Sequence, residues 1–159
     1  MNEQNDFSIL SKNIELLNSL IGKKVTNFIR YSWWNAEESF AECNFLEVLS
    51  EKKDVFSLTA GPVYIEFDSE IAIGVSSNPS LNSVIMWLEF DKEYQKSDLM
   101  CNDNELFPID ASDPVYSDIF FKEIIGEKLL KFEIIKREPK NVLFCELPRE
   151  VALVLIFSN

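Results

Sequence analysis

Histidine is missing from all 159 residues, and with it goes the side chain that most readily exchanges protons near neutral pH and the commonest zinc ligand. Ser-His-Asp, Cys-His and His-metal sites are therefore excluded together. Glycine is scarce: Gly22, Gly61, Gly74 and Gly126 stand singly, so no glycine-rich loop can bring a row of amides to a phosphate. Basic side chains number 15 against 27 acids, leaving a formal charge of −12 that repels nucleic-acid phosphates and anionic membrane surfaces. No apolar run approaches the roughly 18 residues of a membrane-spanning helix. The start Met1-Asn2-Glu3-Gln4-Asn5-Asp6 has the wrong sign for a secretory signal. Cys43, Cys101 and Cys145 cannot all pair within one chain and lack metal-type spacing, so reduced thiols and a cytoplasmic protein without cofactor, nucleic acid or membrane are expected.

An apolar share of 47% with 26% charged residues suits a single α+β domain over 1–159. Leu10, Ile14, Leu17 and Ile21 recur at helical intervals, so a helix is expected from Phe7 to Leu20, capped by Asp6 and closed at Gly22. From Lys23 the period becomes two, which predicts a strand running into Trp33-Trp34, with one indole facing the core and the other outward. After the polar stretch 35–39, the apolar runs Cys43 to Leu49, Val55 to Thr59, Val63 to Phe67 and Ile71 to Val75 read as a meander, with a hairpin turn at Asp68-Ser69-Glu70. Leu81 to Phe90 fits both periods, and its Val, Ile and Trp content favours a strand. Residues Asp91 to Asp113 read as a long surface connection. Asp113-Pro114 is expected to open a second helix with Tyr116, Phe120 and Ile124 as its stripe. A strand from Lys128 to Ile135 follows, and then a hairpin of Val142 to Leu147 with Val151 to Phe157 about Pro148-Arg149-Glu150. The expected architecture is thus a mainly antiparallel sheet with two principal helices.

Two internal echoes point to related halves, roughly 1–80 and 110–159, sharing one core. Leu20 to Phe28 aligns with Ile124 to Phe132 at a constant offset of 104, and each joins a helix to a strand through Ile-Gly. A second echo pairs the hairpin Val63 to Val75 with Val142 to Leu155.

Carboxylates are the remaining source of acid–base chemistry. Glu66, Asp68 and Glu70 alternate along a strand and turn, a spacing shared by an acid pair and by a solvated strand edge. Residues Asp98 to Glu105 offer oxygen ligands but lack the glycine and distal glutamate of a calcium loop. Cys43 and Cys145 fall in apolar strand patterns, where a thiol behaves as a small hydrophobe, and Cys101 lies in the polar connection.

The charge is concentrated. Residues 36–70 hold nine acids against two bases, and residues 89–123 hold ten against three. In the second block Asp91, Glu93, Asp98, Asp103 and Glu105 are interleaved with Tyr94 and Phe107, and the first begins beside Trp34 with Glu37 and Glu38. Acids steer a basic partner and aromatic rings supply contact energy.

In type the chain resembles the small immunity proteins that bacteria encode beside polymorphic or contact-dependent toxins. The likeness lies in an acidic α+β domain with the corner Ile21-Gly22-Lys23-Lys24-Val25 after an N-terminal helix, repeated at Ile125-Gly126-Glu127-Lys128-Leu129. The resemblance implies a non-enzymatic inhibitor whose acidic face occludes the active site of a cognate, basic toxin such as a nuclease. Trp34, Glu37, Glu38, Asp91, Glu93, Tyr94, Asp98, Asp103 and Glu105 are the candidate partner-binding residues. Two alternatives stay open: a non-catalytic adaptor or small-ligand-binding domain using a cavity between the halves, and a carboxylate-based hydrolase.

Overall fold

A computed structural model describes residues 8–45, 51–92 and 103–159, less the side chains of residues 43–45 and 144. The chain forms β1 (Ser8–Ile9), α1 (Ile14–Leu20), β2 (Val25–Ser32), α2 (Ala36–Phe45), α3 (Val55–Leu58), β3 (Val63–Phe67), β4 (Ile71–Asn78) and β5 (Ser83–Asp91). It continues with β6 (Phe107–Asp110), α4 (Ile119–Ile124), β7 (Leu129–Lys136) and β8 (Glu150–Phe157). Six strands make one sheet in the order β1-β5-β4-β3-β2-β6, and β7 and β8 form a separate hairpin. All pairings are antiparallel, so the fold is α+β and mainly antiparallel.

Period-two alternation sends β3 and β4 side chains to both faces of the sheet. On the first face Val25, Ile65, Phe67, Ile73 and Met86 pack under Leu10, Leu17 and Leu20, together with Leu129, Phe132, Leu153 and Leu155 of the hairpin. Each of the three N-terminal leucines is fully buried, and each contributes on the order of 2 kcal/mol. On the second face Tyr31, Tyr64, Ala72, Ile85 and Trp87 form a second cluster. A third cluster gathers Val55, Phe56, Ile109 and Ala111 with Phe28, Phe40, Tyr116 and Phe121. Phe28 meets Phe56 edge to face, 5.0 Å apart at 90°, and Phe121 packs tilted on Phe56 at 4.8 Å.

The expected hairpin at 68–70 and the strands at 25–32, 83–91 and 129–136 are present. Elsewhere local chemistry wins over pattern. The N-terminal helix opens as a 3-10 turn over Leu10–Asn13 and becomes α-helical at Ile14, where Asn13 Nδ2 donates to Ser8 Oγ at 2.7 Å and to the Ile9 carbonyl at 3.2 Å, side-chain bonds that tie this turn back to β1. Ile14 and Ile21 are exposed, and Leu20 completes the buried stripe instead. Asp6 and Phe7 lie outside the described residues.

Where the first two strands of a meander are expected, the described residues are helical: Cys43 to Phe45 ends α2 and Val55–Leu58 is α3, while Leu46 to Leu49 lie outside the described residues. The stretch 91–113 contains β6, in which Pro108 pairs with Tyr31; an edge strand tolerates the missing amide. Asp113 does not open a helix. Its carboxylate accepts from the amides of Val115 and Tyr116, both at 2.8 Å, in a turn, and Asp118 caps the helix from the Phe120 amide at 3.0 Å. In α4 Phe120 is exposed, and Phe121 and Ile125 face the third cluster. The expected hairpin partner 142–147 is no strand: Asn141 caps a single 3-10 turn there, Cys145 is exposed, and β8 pairs with β7.

The first echo is realised in three dimensions. Gly22 and Gly126 follow their helices at φ +84° and +95°, a conformation open to glycine for want of a Cβ, and the two corners grip each other. The Gly22 amide donates to the Leu129 carbonyl at 2.7 Å, and the Gly126 amide to the Val25 carbonyl at 2.8 Å. Leu129 N donates to Lys23 O at 2.9 Å, and Val25 N to Glu127 O at 3.0 Å. Each pair of bonds is interchanged by the offset of 104, and the bridge between Lys24 and Lys128 sits at the centre of this local two-fold clasp. The second echo ends at the turn of residues 142–144.

Candidate partner-binding corner

β2 ends at Ser32, whose partner in the ladder is Phe107 at the start of β6. The chain leaving β2 and the chain entering β6 therefore share one end of the sheet. There the expected alternation of the tryptophans fails: Trp33 is 52% and Trp34 50% exposed. The strand stops before them and α2 starts at Ala36, so no pleat remains to turn one ring inward.

Beneath the tryptophans lies a knot of hydroxyls. Ser32 Oγ is 2.8 Å from Ser39 Oγ and 2.9 Å from Thr59 Oγ1, all three residues being buried. Ser39 Oγ also donates to the Trp34 carbonyl at 3.1 Å. Asn35 Oδ1 accepts from the Glu38 amide at 2.9 Å, which caps α2 and sets Glu37 and Glu38 in its first turn, where carboxylates suit the positive end of the helix dipole. Across the ladder, Asp103 Oδ1 accepts from the Glu105 amide at 2.9 Å, a turn that delivers the chain to Phe107, itself 40% exposed.

The structure thus brings Trp34, Glu37, Glu38, Asp103 and Glu105 to one end of the sheet. All four acids are exposed and none takes part in an ion pair among the described residues. Asp91 is not with them. It pairs with Ile71 at the opposite end of the sheet, beside the ion pair of Lys92 with Glu70. Glu93, Tyr94 and Asp98 lie outside the described residues. Trp33 and Phe107 join the corner in addition to the expected set. The start of α2 had a signal in Asn35-Ala36-Glu37-Glu38, a cap residue followed three positions later by glutamate.

Of the acids offered for catalysis, Glu66 accepts from the Tyr64 hydroxyl at 3.3 Å, and Glu70 is engaged by Lys92. Among the described residues, no helix is long and apolar enough to cross a membrane. Comparisons with protein-family models, curated proteins and solved structures found no match.

Proposed function

We propose that this protein is a cytoplasmic immunity protein that binds and neutralises a cationic cognate toxin, such as a nuclease, by stoichiometric occlusion of its active site. The observation that carries the reading is the end of the sheet where Ser32 pairs with Phe107: it holds Glu37, Glu38, Asp103 and Glu105, exposed and without an ion pair among the described residues, together with the half-exposed Trp33 and Trp34. Unpaired carboxylates give a directed negative field that speeds capture of a basic protein. Half-exposed indoles on a buried hydroxyl knot are rigid anchors that lose little entropy on binding.

The test is capture from the native host with the tagged full chain at low and at high salt, followed by stopped-flow association of the captured protein. A basic, toxic partner is expected, with an association rate that falls at least about tenfold when Glu37, Glu38, Asp103 and Glu105 are changed to Lys, the difference closing as salt rises. An unchanged rate at low salt would remove this corner from the interface, and capture of no protein would end the immunity reading.

A further inference from the structure

Arg30 differs from the surface cations. It lies in β2 between Val63 of β3 and Ile109 of β6, and in a chain with 27 acids it forms no ion pair among the described residues. One terminal nitrogen donates to the Thr59 carbonyl, Nε is buried without a partner, and burial lowers the guanidinium pKa from its ordinary value. Arg30 is half-buried, and a cation partly withdrawn from water without a counter-charge is unfavourable unless something neutralises it.

Arg30 lines a cleft of about 410 Å³ between the segment leaving α3 and the sheet, a volume within the range of small-molecule sites. Leu58, Val63, Val75 and Val84 supply apolar walls, and Ser76 and Ser77 supply hydroxyls. A second hollow of about 200 Å³ shares Ser77 and Val84 and extends the groove toward Asn78 and Asn82.

We propose that this groove binds a small amphiphilic carboxylate, its anionic head on the Arg30 guanidinium and its apolar body along Val63, Val75 and Val84. The planar guanidinium fork matches a carboxylate. A single cation, with no second basic residue along the groove among the described residues, suits a monoanion rather than a phosphate dianion. The groove adjoins the acidic corner through Thr59, which bonds Ser32 by its hydroxyl and Arg30 by its carbonyl, and the proposal does not depend on the immunity reading.

Titration of the full-length protein with octanoate, followed by amide chemical shifts, tests the assignment. Saturable shifts are expected at Gly61, Ser76 and Ser77. Octanol, which lacks the charge, is expected to bind at least about tenfold more weakly, as is octanoate to Arg30→Gln. Ser77→Phe, a change at an exposed position of the groove, is expected to fill it and abolish the shifts while leaving the remaining spectrum native, so the test survives if Arg30→Gln does not fold. No saturable shift at these amides, equal binding of octanol, or tighter binding of inorganic phosphate at the same amides would overturn the proposal.

Discussion

Gly74→Ala should be among the most damaging single-methyl changes to the sheet. By strand propensity alone, alanine would be about 0.5–1 kcal/mol better than glycine inside a strand. At this position a Cβ would sit 2.2 to 2.5 Å from Cε2, Cζ2 and Nε1 of Trp87, well inside van der Waals contact. Gly74 pairs with Trp87 in the β4–β5 ladder, so the indole lies against the position that lacks a side chain. Relief requires Trp87 to move, and its Nε1 donates to the carboxylate of Glu89, which is 1% exposed. Overpacking costs about 1–3 kcal/mol and a buried hydrogen bond pulled out of geometry about 1–3, for a total of about 3–5 kcal/mol. With a urea slope near 2 kcal/mol/M for a chain of this size, the midpoint should fall by roughly 1.5–2.5 M, and near-UV circular dichroism should report the displaced indole. In a Trp87→Val background, which removes every ring atom, the same substitution should cost under about 1 kcal/mol. A Gly74→Ala protein as stable as the parent would refute the packing of Trp87 on this strand.

Trp33→Ala and Trp34→Ala should each change stability by no more than about 1 kcal/mol in urea titrations, since half of each ring is in solvent. Each should weaken binding of a captured partner by at least about 2 kcal/mol by calorimetry. Glu150→Ala should lower stability by roughly 3 kcal/mol, because the 1%-exposed carboxylate accepts from the Ser11 amide at 2.8 Å and faces Lys136 Nζ at 3.8 Å; faster exchange of the Ser11 amide would localise the loss. Gly22→Ala and Gly126→Ala should each cost about 1–2 kcal/mol through their positive φ, and the double variant should depart from additivity because both act on one set of bonds. The Phe120 amide, and after it Lys53, lower the Asp118 pKa from its ordinary value. The stability this provides is present above the ordinary value and is lost as pH falls through the lowered one, so Asp118→Asn should flatten the stability profile below about pH 4.

Strands were legible wherever alternation was backed by burial on both faces, as in Val63 to Phe67 and Ile71 to Val75. Apolar runs too short to show a period misled: Val55-Phe56-Ser57-Leu58 has the composition of a strand, but its two buried residues, Val55 and Phe56, are consecutive, as a helical turn permits. Side-chain turns at Asp113 and Asn141 displaced the expected boundaries, because one carboxylate or amide bond outweighs a weak propensity. The sequence singled out Trp34, Glu37, Glu38, Asp103 and Glu105 by charge and aromatic content. What joins them is the non-local register Ser32 to Phe107, which no spacing along the chain encodes. Arg30 carried no sequence signal, since a lone arginine in an alternating strand looks solvent-facing until the segment from Leu58 to Gly61 is laid beside it.

The two-fold clasp also sets an order of events during synthesis. The corner amide of Gly22 and both backbone groups of Val25 find their partners in Leu129, Glu127 and Gly126, more than 100 residues further on, so closure carries the entropy of a long loop and must await most of the chain. On the ribosome the N-terminal helix and β2 would emerge with the corner amides still bonded to water, and the last third of the protein would lock the first third in place. A nascent chain arrested before Leu129 should therefore remain protease-sensitive at Gly22, and protection there should appear only when the second corner has cleared the exit tunnel.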